Sequence, residues 1–172
     1  MAVKSSVCFS PSELKMVRRA RERAASLVSD YYRVAPREWQ QMPYEVKTLR
    51  ALDSSEISDH ALAQTLCYEY RREAGPFVLA EGDLYRICLQ DNRILDVACA
   101  ARVKLEALLT YVLTHELVHV VRFGQRLQRV DLPFEFRPTE EQRVEQTTRM
   151  ILAKEDDPDI NRFLSSNLVR PC

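Results

Sequence analysis

The chain has 172 residues, 46% of them hydrophobic, and its 25 basic side chains balance 25 acidic ones to a formal net charge of zero. That length suits one core, and a neutral chain without a basic block argues against a dedicated nucleic-acid binder. No apolar run reaches membrane-spanning length, and Met1–Phe9 lacks a signal-type apolar stretch. The expectation is one cytoplasmic domain over residues 1–172, with no membrane and no nucleic-acid partner.

Ser10 and Pro11 predict a helix to about Asp30, with proline at its first position. Its Arg18, Arg19, Arg21 and Arg23 read as a solvated basic face. Pro36 and Pro43 interrupt the next stretch. Tyr44–Leu52 alternates with period 2 and predicts a strand. Ser54 or Ser55 predicts the cap of a second helix, which runs to about Glu73, carries His60 as a surface or partly buried residue, and ends at Gly75-Pro76. Phe77–Ala80, Leu84–Gln90 and Ile94–Cys99 read as strands, the last two joined by a turn at Asp91-Asn92-Arg93. Val103–Val121 has no Pro or Gly. Its Leu105, Leu109, Leu113, Leu117 and Val120 fall at helical spacing, so a buried helix is expected, with Gly124 as its C-cap. Pro138 and Thr139 predict another helix start, Thr139 as N-cap and Gln142 closing a capping box. A short helix is expected in the tail from Asp157 to Cys172. The five cysteines, Cys8, Cys67, Cys88, Cys99 and Cys172, are scattered without a CxxC pair and read as free thiols. The order of elements is that of an α+β fold, helices packed on one side of a small mixed sheet.

One segment carries chemistry. Residues 115–119 read His-Glu-Leu-Val-His, and two of the chain's three histidines lie in it. On a helix, positions i and i+4 share a face, so both imidazoles can reach one metal ion. Glu116 then lies beside that ion, placed to hold a water, an arrangement used by zinc-dependent peptidases. A buried His-Glu-His cluster on an apolar helix is costly unless something satisfies it, and a metal would.

The third ligand is sought downstream. A histidine six residues after His119 would complete an all-histidine site, but that position is Gln125, and no histidine follows 119. A carboxylate must serve instead. Asp131 and Glu135 lie in a loop-like stretch, and Glu141 and Glu145 share a face of the next helix. One of that pair can bind the metal while the other accepts a hydrogen bond from a metal-bound imidazole. Glu140 competes, but four residues on it meets Val144.

His115-Glu-Leu-Val-His119 followed by Glu141-Gln-Arg-Val-Glu145 resembles the gluzincins, whose pattern is HExxH then ExxxD. The resemblance covers roughly residues 84–152, and Glu145 stands where the family usually has Asp. It implies a zincin-like fold: a small mixed sheet packed on an active-site helix, a backing helix and a downstream glutamate helix. It implies a zinc ion on His115, His119 and Glu141, Glu145 behind them, and Glu116 as general base in hydrolysis of a peptide or protein substrate. A catalytically weak or inactive zincin-like zinc-binding domain, with a regulatory or binding role, is the alternative it leaves. The resemblance also implies a Tyr, His or Arg to stabilise the oxyanion, which the sequence does not single out. Leu84–Gln90 is the expected sheet edge for a substrate strand. A thiolate from the chain end, Cys172 or less readily Cys8, competes for the open coordination position against the plain reading of a frayed terminus.

Overall fold

A computed structural model describes residues 7–131 and 133–165. Helix α1 (Pro11–Tyr32) begins as its sequence dictates: Ser10 Oγ accepts from the Glu13 amide, and the Glu13 carboxylate accepts from the Ser10 amide. Its inner face is Val17, Ala20, Ala24 and Val28, all buried. The two alanines let α1 lie close to the central helix. The arginine face is only partly a solvated one. Arg19 pairs with Glu106, and Arg23 pairs with both Glu155 and Asp157. After the short helix α2 (Pro36–Trp39), strand β1 covers only Tyr44–Lys47. The strand expected to Leu52 stops early because the chain turns at Leu49–Ala51, where the buried Asp91 carboxylate accepts from the Leu49 amide.

Two expectations fail in the middle of the chain. The helix expected from Ser54 to Glu73 is a single 3-10 turn, Ser54–Glu56, followed by strand β2 (Ala63–Ala74). Its charged stretch, Glu69 to Glu73, looks helical in sequence, but its Thr, Cys and Tyr residues suit a half-buried strand. His60 is exposed, as expected, on a bend rather than a helix. Gly75, at φ +59°, turns the chain into strand β3 (Phe77–Leu89), which joins the two strands expected there into one. The strand expected at Ile94–Cys99 is instead helix α3 (Asp91–Ala101), and the expected turn at 91–93 is its first turn. Asp91, Ile94 and Ala98 are its buried residues, a helical spacing that the apparent alternation concealed.

The sheet has the order β1-β3-β2, with β1 parallel and β2 antiparallel to β3. Leu84–Gln90 is thus in the centre of the sheet, not at its edge, and cannot receive a further strand. The edge beside the helices is β2.

Helix α4 (Leu105–Gly124) is the centre of the molecule, touching α1, α3, α5, α6 and β2. Every residue from Ala107 to Val121 is buried, so the leucine stripe read from the sequence is part of a helix enclosed on all sides. Gly124 is the last helical residue, not a left-handed cap, and its need is space: a Cβ there would overlap the Met42 side chain. Helix α5 (Arg137–Leu152) starts two residues before Thr139. Its N-cap is Phe136, without a side-chain cap, so the capping box expected at Thr139 and Gln142 is absent. Helix α6 (Pro158–Ser165) closes over Tyr111 through Phe163, their ring centroids 4.6 Å apart. The core is one continuous cluster spanning all these helices and the sheet. The fold is α+β, and no helix among the described residues is long and apolar enough to cross a membrane. Cys172 lies outside the described residues. Cys67, Cys88 and Cys99 are free thiols.

Candidate metal centre

The motif histidines lie one turn apart on α4, facing the N-terminal half of α5. The rings are 5.1 Å apart, His115 fully buried and His119 6% exposed. Glu141 comes in from α5. Its Oε2 lies 3.3 Å from His115 Nε2, and its Oε1 lies 3.1 Å from His119 Nε2. Suitable ligand atoms of the three residues all lie within 4.8 Å of one another. Yet neither ring nitrogen of the buried His115 meets hydrogen-bond geometry. The atoms are close but out of hydrogen-bond geometry.

The donor set fits zinc. Tetrahedral ligands at ~2.0–2.1 Å from an ion stand about 3.3 Å from one another. Each imidazole lies near that distance from a different oxygen of Glu141, and the ligand atoms of the three residues fall within 4.8 Å of one another. Two imidazoles, one carboxylate and an open position form the usual catalytic set for this metal.

Electrostatics favour a cation at this point. Burial alone would lower the His115 pKa, but the Glu141 and Glu145 carboxylates outweigh it and raise it to about 9. Burial likewise opposes the charge on Glu141, but His115 and His119 hold its carboxyl well below the usual range.

Glu145 takes the position behind His115. Its Oε2 is 3.6 Å from His115 Nδ1. That is long for a hydrogen bond, but the carboxylate is firmly held. Tyr111 donates its hydroxyl to Oε2, and Arg149 donates to Oε1. Burial pushes the Glu145 carboxyl up, but His115, Tyr111 and Arg149 together bring it below its ordinary value. On the other side, His119 Nδ1 is 3.3 Å from Gln128 Oε1, and the His119 ring stacks on Phe123.

Glu116 is 2% exposed and points the other way, toward the sheet edge, where its Oε2 accepts from Thr65 Oγ1 at 2.7 Å. Glu116, Thr65, Gln64, His119, Phe123 and Glu141 all line a cleft of about 280 Å³. Of the competing carboxylates, Glu140 faces away and is bound by Arg122 and Arg143. Asp131 is an exposed partner of Arg129, and Glu135 is exposed in the turn before α5.

His115, Glu116, His119, Glu141 and Glu145 are thus brought together. Sequence reasoning missed Tyr111, Gln128, Arg149 and Thr65. Tyr111 and Arg149 carried a signal, each four residues from a site residue on the same helical face. Thr65 carried none, because its segment read as a helix. Comparison with protein-family models, with curated proteins and with solved structures gives no match.

Proposed function

We propose that this protein is a zinc-dependent peptidase of the gluzincin type, with a compact zincin-like arrangement of sheet, motif helix and glutamate helix. The observation that carries it is the grouping of His115, His119 and Glu141, whose ligand atoms lie within 4.8 Å of one another, with Glu116 lining the same cleft as His119 and Glu141. Zinc on that triad would polarise a scissile carbonyl and acidify a water. Glu116 accepts the proton of the attacking water and returns it to the leaving nitrogen. Glu145, braced by Tyr111 and Arg149, lies behind the His115 ring, and Gln128 lies behind that of His119.

The β2 edge suits an extended peptide. The Gln90 amide donates to the Leu62 carbonyl, which places Leu62 in the hydrogen-bonded parity of the ladder with β3. By alternation, the N–H and C=O of Thr65 and Cys67 point outward, away from β3. A substrate strand paired there would run past Glu116.

The test has two arms. Purified protein should carry about one zinc per chain, and His115→Ala or His119→Ala should abolish it. Glu116→Gln should keep the zinc and lose about 10²–10⁴-fold in hydrolysis of an unstructured protein substrate. Full zinc in both histidine variants refutes the site. Equal hydrolysis by Glu116→Gln refutes the mechanism, and zinc without hydrolysis in the wild type points to a binding domain.

A further inference from the structure

We infer that Thr65 is a positioning residue for the Glu116 carboxylate, a step that rests on the peptidase reading above. Among the described residues, Thr65 is the one side chain that hydrogen-bonds this carboxylate. The contact joins residues 51 apart in sequence, from the edge strand to the motif helix. The same hydroxyl lies 3.4 Å from the Glu116 backbone carbonyl, but its single proton goes to Oε2 at 2.7 Å.

A general base must keep one oxygen within hydrogen-bond reach of the proton it takes. A glutamate has three rotatable bonds; burial packs this side chain, and the Thr65 hydrogen bond sets which way its oxygens face. Thr65 occupies Oε2 and leaves Oε1 for the water. Its β-branched side chain is stiff at χ1, and its backbone is locked into the ladder opposite Ile87. The donor is therefore itself immobile, and it keeps its own proton throughout. The backbone of this residue also points to the free edge, so a substrate strand pairing with β2 is placed against the base through one residue. Thr65 sets both where the peptide lies and where the carboxylate waits.

The experiment compares wild type, Thr65→Val, Thr65→Ser and Glu116→Gln as full-length zinc-loaded proteins. Three quantities are measured: zinc content, affinity for acetohydroxamate by calorimetry, and steady-state peptide hydrolysis. Acetohydroxamate chelates zinc and gives its proton to a neighbouring carboxylate, so it reports on Glu116 without turnover. Thr65→Val should keep its zinc, bind acetohydroxamate about tenfold more weakly and lose about tenfold in kcat, the scale of one hydrogen bond. Its KM should stay within about twofold, because the outward backbone groups remain. Thr65→Ser, which keeps the hydroxyl, should recover most of both losses. Wild-type affinity and kcat in Thr65→Val overturn the inference, as does a Thr65→Ser that fails like the valine variant, since that marks lost packing. A wild type without zinc removes the peptidase reading and this inference together. A wild type with zinc but no hydrolysis removes only the peptidase reading, and the acetohydroxamate comparison then decides on Thr65.

Discussion

Glu56 and Glu141 are both carboxylates drawn in from solvent, and the protein answers them in different ways. Glu56, 1% exposed, is fully engaged by its neighbours. Arg86 and the Tyr68 hydroxyl donate to one oxygen, and the Asp53 amide donates to the other. Arg86 also pairs with Glu45, so the cluster ties β1, β2 and β3 to the 3-10 turn at Ser54–Glu56. Nothing remains for a ligand to do. Glu141 lies against two imidazoles, 3.3 Å from His115 Nε2 and 3.1 Å from His119 Nε2, and neither ring nitrogen of His115 meets hydrogen-bond geometry. A carboxylate answered by arginine and hydroxyl completes a structure, whereas one set against a buried imidazole that it does not hydrogen-bond leaves room for a cation.

The sharpest way to break that contrast is within α5, where Glu140 and Glu141 are neighbours with opposite roles. Glu141→Ala should weaken zinc by more than the ~10–100-fold of an outer-sphere loss, while the protein stays folded. Glu140→Ala should keep zinc at wild-type affinity but lower stability, because it strands Arg122, whose side chain is only 13% exposed. Removing one partner of a buried pair costs about 3–5 kcal/mol. Zinc titration and urea unfolding separate the two. Zinc stripped from a folded Glu140→Ala protein would mean that the register of α5 against α4 is misassigned.

A smaller effect is expected behind the histidine. Glu145→Ala should lower zinc affinity about 10–100-fold. Tyr111→Phe should lower it less, since Arg149 still braces the carboxylate. The reverse ranking by isothermal titration would place the main support of His115 on Tyr111.

The two regions also differ in how far the sequence foretold them. The candidate site was legible because its spacing is helical and local: His115 with His119, and Glu141 with Glu145, are pairs that any α-helix puts on one face. The bearing of α5 on α4 was not legible, since it depends on the Arg122–Glu140 pair and on packing around Val144. The sheet was read poorly. Ala63–Ala74 carries charges at Glu69, Arg71, Arg72 and Glu73 that imitate a solvated helix, and half of β2 is exposed, so no clean period-2 pattern marks it. Ile94–Cys99 shows the converse, a helix whose apolar residues imitate a strand. The edge strand and Thr65 were hidden by the same error, because which strand lies outermost follows from pairing between distant residues.

The acid response of Glu56 gives the smallest expected effect and tests the other half of the comparison. Hydrogen bonds from Arg86, the Asp53 amide and Tyr68 lower its carboxyl from 4.5 to about 2. A carboxyl depressed in the folded state adds stability above its unfolded value and loses it as pH falls through the folded one. The contribution of Glu56 is therefore complete above about pH 4.5 and fades between 4.5 and 2. Glu56→Gln should cost about 1–3 kcal/mol at pH 7, the scale of hydrogen bonds to charged groups, and toward the low end because the Arg86 side chain is 18% exposed. It should also flatten the fall in stability between pH 4.5 and 2, where the other depressed carboxyls, Glu141 and Glu145 among them, still contribute their share. Urea unfolding from pH 7 down to pH 2 reads both effects. A variant curve parallel to wild type below pH 4.5 would show that Glu56 is not held ionised by its neighbours, and the contrast with Glu141 would then fail on the structural side.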